Sequence, residues 1–330
     1  MQVFTVHQSE EGQTLEKYLK RLLPAAPLSF IYKILRKKDV KVNGRREDKK
    51  YRLVNNDEIT IYISDEQYSD FIKEKSFIPN DKIKEWIIYE DEQILLINKP
   101  RGLLVQKSEP RDESLDQLVV EYLMYQGFYR PNDEKAFRPG PAHRIDRNTS
   151  GIVAFGKTLP SLNLLFDLFK SNNLINKHYL ALVVGKVEKD EDTIIAPLKK
   201  DDKTNTVMVA PLEKGGKSAK TVYKVVKRFE KYTLLDIALL TGRTHQIRVH
   251  MAYVNHPVVG DNKYGNFEAN RLFKEQYHFT HQFLHAYKMG FGKLEAPLTA
   301  LSKKEFTAPL GEEYTKILEQ LNEKEGGLPR

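Results

Sequence analysis

The sequence of 330 residues contains no cysteine. This absence excludes a disulfide framework, a zinc knuckle, a thiol nucleophile and an iron–sulfur site. Hydrophobic runs are also short, because none reaches the roughly 18 residues of a membrane-spanning helix. Residues 1–13 carry acidic side chains and no hydrophobic stretch of the kind found in secretory signals. We therefore expect a cytoplasmic protein with no membrane partner.

Nucleotide and metal motifs are missing as well. Lys214–Ser218 ends like a phosphate-binding P-loop, but the first glycine of that motif would fall at Pro211. No G-x-G-x-x-G or H-E-x-x-H pattern occurs. His278, His281 and His285 have helical spacing, but the residues around His285 alternate like a strand and no carboxylate lies between the histidines. The sequence therefore predicts neither a nucleotide cofactor nor a metal site.

Positive charge is concentrated in one segment. The whole chain carries a net charge of +8, and residues 33–52 hold ten basic and three acidic residues. Such a concentration is what a phosphate backbone selects, although a solvated lysine-rich face would have the same composition. The basic residues that we consider candidates for RNA binding are Lys33, Arg36, Lys37, Lys38, Lys41, Arg45 and Arg46.

The first part of the chain reads as a small module over residues 13–62. Two amphipathic helical stretches, the second with Ser29 as a plausible N-cap, precede a hairpin that turns at Asn43-Gly44. An alternating segment, residues 57–63, predicts a strand that closes a small sheet. Residues 65–84 are polar and show no sustained hydrophobic periodicity. This pattern indicates a linker between the N-terminal module, residues 1–64, and a second domain.

The second domain, residues 85–315, contains strands in pairs with helices between them. This order favours an α+β fold with a large mixed, mostly antiparallel sheet, followed by a C-terminal tail over residues 316–330. The predicted elements are an apolar stretch with a polar turn at Glu90–Gln93, strand Gly151–Lys157, helix Leu159–Phe169, strand Tyr179–Val187, a hairpin of Lys220–Phe229 and Tyr232–Leu240, and helix His245–Tyr253 capped by Thr244.

Two polar clusters could carry chemistry. In residues 142–151, Asp146 lies between Arg144 and Arg147, and a carboxylate beside guanidinium groups stays ionised and can act as nucleophile or base. The alternative is a surface turn with a local salt bridge. In residues 239–250, Arg243 and Arg248 lie around a predicted helix start, which favours binding of an anion, or simply capping of that helix.

These segments together resemble a known family. Residues 143–151 (HRIDRNTSG), 177–183 (KHYLALV) and 240–250 (LTGRTHQIRVH) are similar to the three motifs of bacterial large-subunit ribosomal RNA pseudouridine synthases of the RluA superfamily, C-type branch. Residues 97–103 (INKPRGL) and 256–261 (HPVVGD) are further family-like blocks. The N-terminal module resembles the S-four type RNA-binding domain often attached to these enzymes.

The resemblance implies a role for each matching residue. Asp146 would be the essential catalytic carboxylate, Arg248 would pair with it, and Tyr179 would pack against the flipped base, or remove a sugar proton in one version of the chemistry. The substrate-binding residues implied by the same motifs are Arg144, which would help displace the target uridine, Ile247, which would form an apolar wall of the pocket, and His143, Thr149, Arg243 and His245.

The reaction that the resemblance implies is isomerisation of uridine to pseudouridine. The base is detached from carbon 1 of the sugar, turned over and rejoined at carbon 5, which requires base flipping and no cofactor. The expected partner is RNA, foremost 23S rRNA in a free or assembling large subunit, and the expected state is a monomer. The alternatives are a tRNA pseudouridine synthase of the same family, a non-catalytic RNA-binding assembly factor, or a hydrolase that uses Asp146 with a nearby histidine.

Overall fold

The computed structural model describes residues 1–72, 77–109, 111–131, 136–171, 174–201 and 203–326. The helices in these ranges are α1 (Leu15–Leu22), α2 (Leu28–Lys37), α3 (Asp65–Phe71), α4 (Leu115–Tyr125), α5 (Leu159–Ser171), α6 (Gln246–Tyr253), α7 (Phe267–Tyr277) and α8 (Glu312–Gly326). The strands are β1 (Gln2–Thr5), β2 (Val40–Val42), β3 (Glu58–Ile61), β4 (Ile87–Glu90), β5 (Ile94–Lys99), β6 (Gly140–Pro141), β7 (Ser150–Gly156), β8 (Ile175–Val184), β9 (Glu191–Ile195), β10 (Leu198–Asp201), β11 (Thr206–Val209), β12 (Lys220–Arg228), β13 (Tyr232–Leu239), β14 (Leu284–Phe291) and β15 (Glu305–Thr307).

The N-terminal module combines two helices with a three-stranded sheet in the order β1-β3-β2. The turn after β2 has positive φ at both Asn43 and Gly44, as the sequence predicts for a tight hairpin. Two details differ from the prediction. Strand β1 adds an edge that the sequence pattern did not reveal, and Ser29 lies inside α2 because Pro27 occupies the N-cap position.

The segment that we expected to be a linker begins with a helix. Ser64 accepts a hydrogen bond from the backbone of Gln67, and the Gln67 side chain accepts one from the backbone of Ser64, which together form a capping box that starts α3. Tyr68 on this helix is buried in the core of the N-terminal module. The part of the linker prediction over residues 73–76 lies outside the described residues.

The second part of the chain forms a ten-stranded sheet. Its main path is β4-β5-β7-β14-β8-β13-β12-β9, with β6 paired to β7 and β15 to β14. Strands β7 and β14 are parallel, and the other strand pairs along this sheet are antiparallel in the described residues. The predicted α+β class with a large mixed, mostly antiparallel sheet is therefore confirmed.

Helices cover both faces of this sheet. Ile94 and Leu96 of β5 pack with α5, while the alternate residues Leu95 and Ile97 pack with α4. On the neighbouring strands, Ala181 packs with α6, whereas residues of the opposite face pack with α7 and α8. Because side chains alternate along a strand, one face of the sheet here carries the cleft and the opposite face packs against α7 and α8.

Three further predictions are corrected by these boundaries. Strand β8 begins four residues before Tyr179, so this tyrosine lies within the strand rather than at its start. The N-cap of α6 is His245, not Thr244, because the chain enters this helix through a left-handed residue. The expected tail from residue 316 continues α8 as far as Gly326, while residues 327–330 lie outside the described residues. No helix in the described ranges is long and apolar enough to cross a membrane.

Candidate active site

A cleft of about 660 Å³ opens beside the loop that precedes β7. It brings together side chains from this loop, from β8 and from the start of α6, which are far apart in sequence. All nine catalytic and substrate-binding residues predicted from the sequence line it: His143, Arg144, Asp146, Thr149, Tyr179, Arg243, His245, Ile247 and Arg248. Their assembly follows from the sheet order, which places β7 and β8 on either side of β14.

The loop that carries Asp146 is held by backbone hydrogen bonds. The Thr149 N–H donates to the Asp146 carbonyl at 3.1 Å, which closes a tight turn. The carbonyl of Arg147 accepts from the Gly102 N–H at 2.9 Å and from the Lys99 ammonium at 3.0 Å. Because these bonds hold the turn at Asp146 and at its neighbour, the carboxylate is presented to the cleft from a rigid support.

Asp146 forms an ion pair with Arg248. Nη1 of Arg248 donates to Oδ2 of Asp146 at 2.8 Å, and the side chain of Arg248 is only 9% exposed. On its other edge Arg248 donates to both carboxylate oxygens of Asp261, at 2.7 and 2.8 Å. The guanidinium therefore lies between two carboxylates, and its bidentate bond to Asp261 fixes the orientation in which it meets Asp146.

The charges of Arg248 and Asp261 are maintained against burial. Burial would raise the pKa of Asp261, but hydrogen bonds from Arg248 and from the backbone of Lys263 and Tyr264 keep it below its usual value. Burial would also lower the pKa of Arg248, yet its hydrogen bonds to Asp261 and Asp146 raise it further above the ordinary value. Arg248 therefore remains a permanent cation beside Asp146.

Tyr179 is buried in β8 with its ring in the core that also holds Ile247 of α6. Burial, with a smaller contribution from the negative charge of Asp146, raises the pKa of this tyrosine well above its ordinary value. The phenol is therefore neutral near pH 7, and Tyr179 is one of the residues that line the cleft. Ile247 adds a second apolar surface to the cleft lining.

The remaining predicted residues differ in their contacts. Arg144 is exposed at the edge of the cleft, and Arg243 donates to the carbonyl of Ser218. His143 stacks on Phe169, with ring centroids 4.1 Å apart, and its Nε2 accepts the Ala154 N–H. Burial, with the charge of Lys177, lowers the pKa of His143 to about 3, so this ring is a neutral part of the wall. Their roles toward a substrate stay predictions.

Sequence reasoning did not single out Asp261 or Lys99. Both lie in blocks that carry the family resemblance, but neither block suggested a contact with the motif around Asp146. Lys99 is fully buried, and its ammonium donates to the carbonyls of Pro100, Leu103 and Arg147. A buried lysine with three carbonyl acceptors cannot be distinguished from a surface lysine by pattern alone.

The basic residues of the N-terminal module do not line the cleft. Lys33, Arg36, Lys37, Lys38, Arg45 and Arg46 are exposed and Lys41 is half-buried. Within the described part of the chain, no acidic side chain forms an ion pair with any of these seven. Their charge is therefore not neutralised by ion pairs within this part of the chain. The described residues also contain no group of three or more His, Asp or Glu side chains placed to hold a metal ion.

Comparison with known proteins connects this cleft to an enzyme family. Residues 93–253 match the family model described as RNA pseudouridylate synthase. The chain is 32% identical over 332 residues to the ribosomal large subunit pseudouridine synthase C of Pasteurella multocida, an alignment that covers 98% of this chain and 95% of that protein. The protein of the same name from Escherichia coli K12 is 31% identical over 318 residues, which covers 90% of this chain and 93% of that protein.

The fold has a counterpart among solved structures. The human RNA pseudouridylate synthase domain containing 4 superposes with a TM-score of 0.58 at 20% sequence identity. The superposition covers 73% of this chain and 95% of the human chain. At this identity the likeness concerns the fold alone.

Proposed function

The chain belongs to the RluA family of RNA pseudouridine synthases, and on that basis we propose that it isomerises specific uridines of large-subunit ribosomal RNA, foremost 23S rRNA, with Asp146 as the essential catalytic carboxylate. The observation that carries the proposal is the contact between Asp146 and the buried Arg248 inside the cleft. The names of the relatives support the ribosomal target, and the geometry of this chain supports the chemistry.

The reaction needs a detached base that does not react with water. A uridine reaches the cleft only when it is flipped out of the RNA stack, and Arg144, an exposed residue that lines the cleft, would occupy the gap. Tyr179 and Ile247 then provide apolar surfaces against the base, which limits access of water to the detached intermediate. Asp146 faces carbon 1 of the ribose, and the hydrogen bond from Arg248 holds the carboxylate in its orientation.

The N-terminal module would supply affinity for folded RNA. Its exposed cations lie on α2 and on the turn after β2, where they can contact several phosphates without reading bases. We propose that this module is an S-four type RNA-binding domain over residues 1–64, attached to a catalytic domain over residues 85–315. Two linked binding surfaces raise the effective concentration of the second contact once the first has formed.

The test is pseudouridine mapping on protein-free 23S rRNA transcript incubated with the enzyme. We expect new pseudouridines with the wild-type protein. With Asp146→Asn we expect a rate reduced by more than about a thousandfold, because the reacting carboxylate is removed while RNA affinity is kept. Asp192→Asn, a change of a partly exposed aspartate that does not line the cleft, is the matched control and should retain full activity.

A tRNA substrate is the second candidate, because the same cleft chemistry serves any flipped uridine. Bulk tRNA and assembled subunits incubated under the same conditions distinguish the targets. Pseudouridine formed on tRNA alone would reject ribosomal RNA as the substrate but would still support isomerisation of uridine by this protein. Absence of product on every RNA would reject the enzymatic function.

A further inference from the structure

Tyr264 contacts both side chains that flank Asp146 in the cleft. The guanidinium carbon of Arg248 lies over its ring, 5.1 Å from the centroid. Its hydroxyl oxygen lies 2.8 Å from Nδ1 of His245. Tyr264 follows Asp261 by three residues, so the same short segment supports Arg248 through a carboxylate and His245 through a phenol.

The hydrogen bonds of Tyr264 favour one tautomer of His245. The backbone N–H of Val207 in β11 donates to the Tyr264 oxygen at 2.8 Å. With this N–H directed at one side of the phenol oxygen, the single phenol proton can point to Nδ1 of His245. Since Nδ1 is then an acceptor, the neutral imidazole carries its proton on Nε2.

The Nε2–H of His245 faces the reacting carboxylate without bonding to it. Nε2 lies 3.9 Å from Oδ2 of Asp146, which exceeds a hydrogen bond, so this N–H is not bonded to the carboxylate. The backbone of His245 is left-handed, with φ of 53°, a conformation that is unfavourable for a residue with a β-carbon. This strained entry into α6 holds the ring at the wall of the cleft.

The surroundings of His245 favour the neutral imidazole. Burial lowers the pKa of His245, Asp146 opposes this effect, and the charges of Arg248 and Lys263 reinforce it. A neutral ring with a fixed Nε2–H is a hydrogen-bond donor that does not release its proton. It is therefore suited to a neutral or developing negative oxygen.

We propose that His245 donates its Nε2–H to the uracil carbonyl next to the ring atom bonded to the ribose, and that Tyr264 is the positioning residue that fixes this tautomer. The inference rests on the proposed isomerisation at Asp146. Because Asp146 faces carbon 1 of the ribose, a donor beside it faces the carbonyl that flanks the glycosidic bond. That carbonyl is O2 in uridine.

The same donor serves both halves of the reaction. When the N1–C1′ bond breaks, its electron pair passes to the base and the negative charge spreads to O2 and O4. When the ring turns over about its N3–C6 axis, C5 replaces N1 and O4 replaces O2. The C5–C1′ bond then forms with a ring electron pair, C5 loses a proton and N1 gains one, so the composition is unchanged. A preorganised donor at this position stabilises the charge before and after the turn.

Three substitutions at two residues distinguish this function from a structural role. Single-turnover rates are measured on a [5-³H]uridine-labelled 23S rRNA transcript, with thermal unfolding and RNA affinity as controls for folding and binding. We expect His245→Ala to be about 100-fold slower than wild type and His245→Gln, whose amide restores a donor on the same backbone, to recover at least about tenfold. Tyr264→Phe should be about tenfold slower, and the ring ¹⁵N shifts of His245 should no longer show the Nε2–H pattern.

A sulfur-substituted substrate tests the carbonyl itself. A transcript made with 2-thiouridine replaces O2 by a weaker acceptor, which should slow the wild-type enzyme and add no further penalty in His245→Ala. Equal rates for His245→Gln and His245→Ala, a wild-type rate for Tyr264→Phe, or the same sulfur penalty in both enzymes would overturn the inference. A wild-type enzyme without activity on any RNA would instead overturn the proposed function, before any variant is compared.

Discussion

Lys99 is a buried cation whose ammonium donates to neutral backbone carbonyls. It is fully buried at the end of β5, and its three acceptors include Arg147, the neighbour of Asp146. Burial lowers the pKa of Lys99 to about 7, although the negative charge of Asp146 partly opposes this change. The support of the Asp146 loop therefore titrates close to neutral pH.

This titration makes the stability of the fold depend on pH. Between pH 7 and 9 the unfolded chain still binds the Lys99 proton, whose ordinary pKa is about 10.4, while the folded chain, half-protonated at pH 7, loses it. The free energy of unfolding of the wild type should therefore rise by about 2 kcal/mol relative to Lys99→Met over this interval. Urea titrations at both pH values measure it, with exposed Lys274→Met as the control for removal of a charge. A constant difference between wild type and Lys99→Met would contradict the assignment.

The sequence predicted individual site residues only where they belong to a short sequence motif. Asp146, Tyr179 and Arg248 each lie in a motif, and all three line the cleft. Asp261 and Tyr264 act on Arg248 and His245 from a later loop, and their contacts exist only once α6 and that loop have packed together. No spacing rule predicts such a contact, because it is set by tertiary packing rather than by helix or strand period.

The parallel pair of β7 and β14 is the element on which the cleft depends. It pairs Ser150 with His285 and Gly151 with Ala286, directly after the Asp146 loop. Gly151 has φ of +111°, and a β-carbon there would lie 2.2 Å from the carbonyl oxygen of Ala286. Only glycine permits this close approach.

Gly151→Ala should therefore separate the two strands. We expect stability to fall by about 3 kcal/mol or more, and activity to fall with it, because both the backbone conformation and the strand spacing are violated. Gly140→Ala in β6 is the matched control, since the nearest atoms to a β-carbon there are 3.9 Å away. Differential scanning calorimetry of the two variants measures the difference. Similar melting temperatures for the two variants would show that the strands can shift to accept a methyl group.

Helices and strands were predictable from the sequence where a hydrophobic pattern extends over many residues. The β12–β13 hairpin, α5 and β7 lie close to their predicted positions because each has a sustained period and clear ends. Strand β1 has only four residues, and α3 is defined by its capping box rather than by a hydrophobic repeat. Short elements of this kind are stabilised by the sheet or core that receives them, so their own sequence carries little signal.

The cleft residues and most of the concentrated positive charge lie in different parts of the molecule. The cleft lies beside the ten-stranded sheet, whereas the exposed cations of α2 and the turn after β2 lie in the N-terminal module. Binding of phosphates releases counterions and depends steeply on salt, while isomerisation of a base already in the cleft does not. The affinity for RNA should therefore depend steeply on salt, whereas the rate of isomerisation of bound RNA should not.

Removal of three N-terminal cations tests this separation. For Lys33→Gln, Arg36→Gln and Lys37→Gln combined, we expect weaker binding to 23S rRNA transcript. The slope of log K against log salt should become shallower by roughly 0.7 to 0.9 for each phosphate that is no longer neutralised. The single-turnover rate at saturating enzyme should not change. Arg271→Gln, Lys274→Gln and Lys316→Gln combined, on exposed positions of α7 and α8, provide the charge-matched control. An equal decrease of affinity in both triple variants would reject a specific role for the N-terminal cations.

The position of β14 delays completion of the central sheet during synthesis of the protein. This strand lies between β7 and β8 in the sheet, but it is synthesised long after both of them. The N-terminal module, by contrast, draws nearly all of its core from the first 72 residues. During translation the basic module can therefore form while the central sheet is still incomplete. A nascent chain that ends before Leu284 would be able to bind RNA and unable to modify it.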